Sequence, residues 1–197
     1  MTKILNHGIP QRIVRDTQAF QLVALIEGAA ANTQFINNLQ VLGQQRQLLA
    51  ETQRKLAALP SSASIESRAD VQAQLLQIEN LVTKNVEFMT KHYGYSLDQN
   101  YLLNPVYSVL LQKALDDQGK PVEDEARATL EAEFQTFESY DAFQGLRQRA
   151  SDLATNTANK TEFEAVKADL IEKYAFDLDK HYILQVRKGA LYATATN

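Results

Sequence analysis

Apolar residues in the first third of the chain recur at three- and four-residue intervals. Phe35, Leu42, Leu49 and Leu56 fall seven apart, and Leu25, Asn32, Leu39, Arg46 and Gln53 mark a companion seam that is half polar. With no Pro between Thr17 and Leu59, this spacing predicts one long helix over that span, capped at its start by Asp16 or Thr17. A polar residue on a seam fixes register at some cost in stability, so the pattern suits a helix packed on one partner rather than one buried all round. Pro60-Ser61-Ser62-Ala63-Ser64 interrupts it, and Ser64 is placed to cap a second helix in which Val71, Leu75, Ile78, Val82, Asn85 and Met89 alternate by four and three. Two long helices joined by so short a loop predict an antiparallel, coiled-coil-like hairpin over residues 16–93. In front of it, Gly8-Ile9-Pro10 and the lack of helical period make residues 1–15 an extended arm.

The second half mixes periods. Ala126, Leu130, Phe134 and Phe137 predict an acidic helix over Val122 to Glu138, and Tyr140, Phe143, Leu146, Ala150 and Leu153 continue helical spacing from Ser139 to Leu153. The polar run Thr155 to Lys160 reads as a loop, and Thr161 with Glu164 forms a capping-box pattern ahead of Phe163, Val166, Leu170 and Tyr174. Around this sits an internal repeat. His92-Tyr93-Gly94-Tyr95-Ser96-Leu97-Asp98-Gln99-Asn100-Tyr101-Leu102-Leu103 aligns without gaps on Lys173-Tyr174-Ala175-Phe176-Asp177-Leu178-Asp179-Lys180-His181-Tyr182-Ile183-Leu184, at a constant offset of 81. Each copy reads as a helix, a stop, a turn and a strand led by Tyr101 or Tyr182. Gly94 suits a left-handed helix end and Ala175 does not, so the second helix is expected to close differently. After Tyr182, the segments Tyr182 to Val186 and Ala190 to Ala193 flank Arg187-Lys188-Gly189 as a short hairpin. The repeat has two explanations, duplication or convergence on a useful helix stop.

The fold class these elements predict is mainly α. A long antiparallel helical hairpin (16–93) follows the arm (1–15), and a smaller α+β body (94–197) carries short β-hairpins and the repeated unit at 92–111 and 173–192. The repeated unit, a helix ending in Tyr-Gly, then an Asp-bearing turn, a Tyr and a short hairpin, resembles small virion and assembly proteins of tailed bacteriophages and prophages. His92 to Leu103 carry the likeness, and so do Lys173 to Leu184, where Ala175 replaces the glycine. The resemblance implies a virion-associated or assembly role without catalysis.

Composition narrows the chemistry. Of 197 residues 45% are apolar and 22% charged, with 7 Gly and 4 Pro, as in a folded and helix-rich chain. The absence of Cys removes disulfides, thiolate metal sites and cysteine nucleophiles. The opening residues lack a secretory signal and no window is long and apolar enough to span a membrane, so the expectation is a cytoplasmic or virion protein. Residues 1–97 hold 9 Lys/Arg against 7 Asp/Glu, and residues 98–197 hold 11 against 17. Neither half has the clustered basic residues of a nucleic-acid footprint, and the mild polarity between halves reads first as ordinary solvated faces and only second as a means of orienting neighbouring copies.

The three histidines, His7, His92 and His181, fall in no ligand spacing, and Glu123, Asp124, Glu125, Glu131 and Glu133 are distributed around the expected helix. Asp98 and Asp179 recur in the repeat and are read as turn residues accepting backbone hydrogen bonds. Phosphate loops, nucleophile elbows and dinucleotide fingerprints are absent from the sequence. We therefore expect no enzyme, catalytic residue, cofactor or metal. Small residues from Gly28 to Ala31 precede the amides Gln34, Asn37, Asn38, Gln40, Gln44 and Gln45, with no charge before Arg46. This run reads either as a close helix crossing with a contact surface or as a weakly solvated helix kinked at Gly28. Tyr93, Tyr95, Tyr101 and Tyr107 suit either a sugar or base platform or, better, a protein interface. Gln40, Gln44, Gln45, Tyr101 and Tyr182 are accordingly the interface candidates. The expected function is a structural or assembly protein acting through its helical hairpin, as a homo-oligomer or part of a larger assembly. The alternative is a soluble chaperone or adaptor that holds a client protein.

Overall fold

A computed structural model of the chain describes residues 9–155 and 159–194. The expected arm and the loop after Thr155 lie partly outside these residues. Chain order is β1 (Arg12–Arg15), β2 (Gln18–Glu27), α1 (Ala29–Ala57), α2 (Ile65–Tyr93), β3 (Tyr101–Gln112), β4 (Thr129–Phe134), α3 (Phe137–Ala154), α4 (Lys160–Tyr174) and β5 (Tyr182–Thr194). With 52% helix and 26% strand, the molecule combines four helices with one five-stranded antiparallel sheet of order β1-β2-β5-β3-β4. This overturns the expected mainly-α fold built on a long helical hairpin with short β-hairpins.

Four local readings account for the correction. Leu25 fits the heptad frame, but within Gln18–Glu27 Phe20, Leu22 and Ile26 are buried at alternate positions, which is the period of a strand. Asp16 and Thr17 do not cap a helix. Both have positive φ, 49° and 68°, and form the two-residue turn of a hairpin with Arg15 opposite Gln18 and Arg12 opposite Gln21. Thus the end of the expected arm is an edge strand. The acidic segment after Val122 is a three-residue 3-10 turn, Glu125–Arg127, followed by β4, because Ala132 and Phe134 turn inward at a spacing of two. Finally, Tyr182–Thr194 is one unbroken 13-residue strand rather than a hairpin, with Gly189 in its interior.

The strand order has an internal symmetry of connection. The path β2-α1-α2-β3 and the path β4-α3-α4-β5 have the same element sequence, and in the sheet each path's two strands are separated by one strand of the other. The two Tyr-led strands are neighbours: Lys113 N–H donates to His181 O at 2.8 Å and Thr194 N–H to Asn100 O at 2.9 Å, opposite ends of one antiparallel pair. Pro105 lies outside the stretch of β3 that β4 pairs with, Ser108–Gln112.

The chain forms two compact units. In the one containing Arg12–Ala24 and Ala30–Leu102, α1 and α2 are 29 residues each and run antiparallel. Phe35 meets Tyr93 edge-on at 4.9 Å, and Asn85 Nδ2 donates to Asn38 O at 3.4 Å and Gln45 Oε1 at 3.3 Å. Phe35, Leu42, Val71, Ile78, Val82 and Met89 are buried, as the seam predicts, and Ser64 accepts from Ser67 N–H at the start of α2. In the unit containing Leu103–Leu191, α3 and α4 cover β3, β4 and β5 around Leu110, Phe134, Phe143, Ala150, Val166, Leu170 and Phe176. Helix α4 starts at Lys160 without a side-chain cap, so the Thr161 and Glu164 capping box is not formed.

Candidate functional site

The repeated unit builds the same hydrogen-bonded lock twice. In the first copy Ser96 N–H donates to Tyr101 Oη at 2.6 Å, and the phenolic hydrogen is shared between Gly94 O at 3.3 Å and Gln99 Oε1 at 3.0 Å. In the second, Asp177 N–H donates to Tyr182 Oη at 3.0 Å and Tyr182 donates to Ala175 O at 3.0 Å. The ring of Tyr101 stacks on Tyr95 and that of Tyr182 lies on Phe176, each with centroids 4.6 Å apart. Burial raises the pKa of Tyr101, the Ser96 N–H opposing it in part. Both tyrosines are half-buried, and their hydroxyls, engaged within the chain, hold the helix-to-strand turn.

Asp98 and Asp179 have unlike partners. Asp98 accepts from the hydroxyl of Ser96, which together with a backbone contact holds its carboxyl below the usual range. Asp179 pairs with Lys167 Nζ at 2.6 Å and receives no such bond. The equivalent of Ser96 in the second copy is Asp177, whose carboxylate accepts from Asp179 N–H at 3.1 Å. Leu97 and Leu178 also diverge: Leu178 packs against the α3 and α4 cluster, and Leu97 is 42% exposed. Among the described residues no group of three His, Cys, Asp or Glu is placed to hold a metal ion, and no helix is long and apolar enough to cross a membrane.

The amide run of α1 divides by helical spacing. Gln45 faces α2 and accepts from Asn85, while Gln40 and Gln44 are exposed. Asn37, Val41, Gln44 and Leu48, at spacings of three and four, form an exposed face with no charge, on which Val41 is 43% and Leu48 50% exposed. A helix face meant for water alone ordinarily carries charges at such positions.

One further surface feature went unread in the sequence. A shallow groove of about 360 Å³ on the sheet is lined by Tyr107, Val109 and Leu111 of β3, Leu130 and Glu133 of β4, and Arg187 of β5. Beside it Glu125 accepts from Gln185 Nε2 and lies 3.7 Å from the Arg187 guanidinium. The alternation of Tyr107, Val109 and Leu111 signals one face of a strand, but the spacing around Leu130 fits a helix and Arg187-Lys188-Gly189 fits a turn. Comparison with protein-family models, curated proteins and solved structures finds no match for this chain.

Proposed function

We propose that the chain is a non-enzymatic structural or assembly protein that works through protein–protein contacts, as a homo-oligomer or within a larger assembly. The observation that carries this reading is the uncharged, partly apolar face of α1 formed by Asn37, Val41, Gln44 and Leu48, whose burial by another protein removes apolar area from water without stranding a charge. The phage-like helix-stop unit supports a virion setting. The amides can hydrogen-bond across such a contact, as interface residues do.

The test is mass in solution across a wide concentration range. The parent protein should associate, and a Val41→Glu/Leu48→Glu variant that keeps its helical signal should shift to monomer. A strict monomer at every concentration, with no larger assembly in the native source, refutes the reading.

A further inference from the structure

Each helix of the α1–α2 hairpin carries a second seam beside the one that joins the pair. The joining seam is Phe35, Asn38, Leu42, Gln45, Leu49 and Thr52 in α1 and Val71, Leu75, Ile78, Val82, Asn85 and Met89 in α2, all buried or half-buried at spacings of three and four. Asn37, Val41, Gln44 and Leu48 repeat that spacing along α1, and Gln77, Leu81, Lys84 and Phe88 along α2. Val41, Leu48, Leu81 and Phe88 each immediately precede a joining-seam residue, and in an antiparallel pair such positions of both helices flank the seam on the same side. Asn85 reaches both Asn38 O and Gln45 Oε1, which sets Val41 level with the stretch of α2 between Leu81 and Phe88. Phe88, Val41, Leu81 and Leu48 therefore interleave down one side of the hairpin, with Val41, Leu81 and Leu48 at 43%, 47% and 50% exposure. The other side, formed by the residues that follow the seam, carries the charges Arg46 and Glu79 at its middle.

We propose that this apolar side packs on the same side of a second copy, α1 of one on α2 of the other, to make a four-helix bundle of two chains; the inference rests on the assembly reading above and names its partner. A lone pair of helices buries one seam, and a second seam is buried when another two-helix layer is laid on it. Helices of 29 residues are about 44 Å long, so one side of the hairpin offers about 44 Å by 20 Å, close to the ~800 Å² that each partner gives to a stable interface. Charge sets the orientation. Lys84 and Lys91 border the second seam of α2, so laying α2 on α2 brings lysines together. Laying α1 on α2 sets them beside Gln44 and Asn37, whose amide oxygens can accept from an ammonium. The two-fold axis then runs along the bundle and places the two 60–64 loops at the same end.

The mass of the purified parent in solution should settle at two chains, a measure that needs no variant to fold. Leu81→Glu, a change on α2 alone, should weaken that association at least tenfold with the helical signal kept. Asn37→Glu/Gln44→Glu should strengthen it roughly tenfold at low salt, because the new carboxylates meet Lys84 and Lys91 of the second copy. If α1 lies on α1 instead, those carboxylates face one another and the same variant weakens association, which overturns the proposal. Association of Leu81→Glu equal to the parent's, or a parent mass above two chains, also overturns it. The assembly reading then still stands on the loss of association in Val41→Glu/Leu48→Glu. A monomeric parent overturns the bundle as well, and it overturns the assembly reading too when the native source holds no larger assembly.

Discussion

Gly94 and Ala175 end their helices in the same left-handed conformation, at φ 68°, ψ 24° and φ 52°, ψ 26°. The bonds are equivalent too: Gly94 N–H reaches Thr90 O and Tyr95 N–H reaches Met89 O, while Ala175 N–H reaches Ile171 O and Phe176 N–H reaches Leu170 O. The expectation that α4 closes differently is therefore wrong, and the second copy keeps the geometry at a steric cost. That conformation costs an L-residue roughly 1 to 2 kcal/mol, from which glycine's greater freedom in the unfolded chain takes back roughly 0.4 to 1.

Ala175→Gly should thus raise stability by about 0.5 to 1 kcal/mol, read from urea unfolding. Gly94→Ala should lower it by a similar amount, because nothing lies within 4 Å of the added Cβ and only the backbone is strained. Unchanged stability in Ala175→Gly would show that the α4 cap carries no strain.

Removing either phenolic hydroxyl leaves a backbone N–H of the turn, Ser96 or Asp177, without its acceptor. Tyr101→Phe and Tyr182→Phe should each cost about 1 to 3 kcal/mol with the ring packing kept. Because both locks sit at the start of neighbouring strands, hydrogen exchange should rise first at the Thr194 and Lys113 amides, which donate across that pair to Asn100 O and His181 O. A loss of association with intact stability would instead make these tyrosines contact residues.

The repeat was legible because its chemistry is local: a Tyr five residues beyond a turn N–H can bond back to it whatever the rest of the fold does. The α1 and α2 seams were legible because burial on one partner imposes a period. Strand β2 was not, since Leu25 continues the heptad frame by chance and the alternation of Phe20, Leu22 and Ile26 competes with it over ten residues. Nor was β4, whose inward Phe134 also fits a helical period.

Asp98 links stability to acid. Its folded pKa lies below the unfolded value, the bond from Ser96 being the first cause. Its contribution is therefore present above the unfolded pKa, about 3.9, and is lost as pH falls through the lower folded value. The stability gap between the parent and Asp98→Ala should narrow as pH drops from 7 to about 3, measured by denaturant unfolding at each pH. A gap that is constant or widens would remove the carboxylate from the turn's hydrogen bonding.

The hairpin that carries β1 is strained at one residue. Thr17 adopts φ 68°, an outlier for a β-branched side chain, and its hydroxyl donates to Asp16 O at 2.5 Å. Thr17→Gly creates Asp-Gly, the pairing this turn type prefers, and removes a cost of roughly 1 to 2 kcal/mol against one exposed hydrogen bond. Stability should rise by about 0.5 to 1 kcal/mol, and amide protection should increase across Arg12–Arg15. Destabilisation by Thr17→Gly would mean that the hydroxyl contact outweighs the strain.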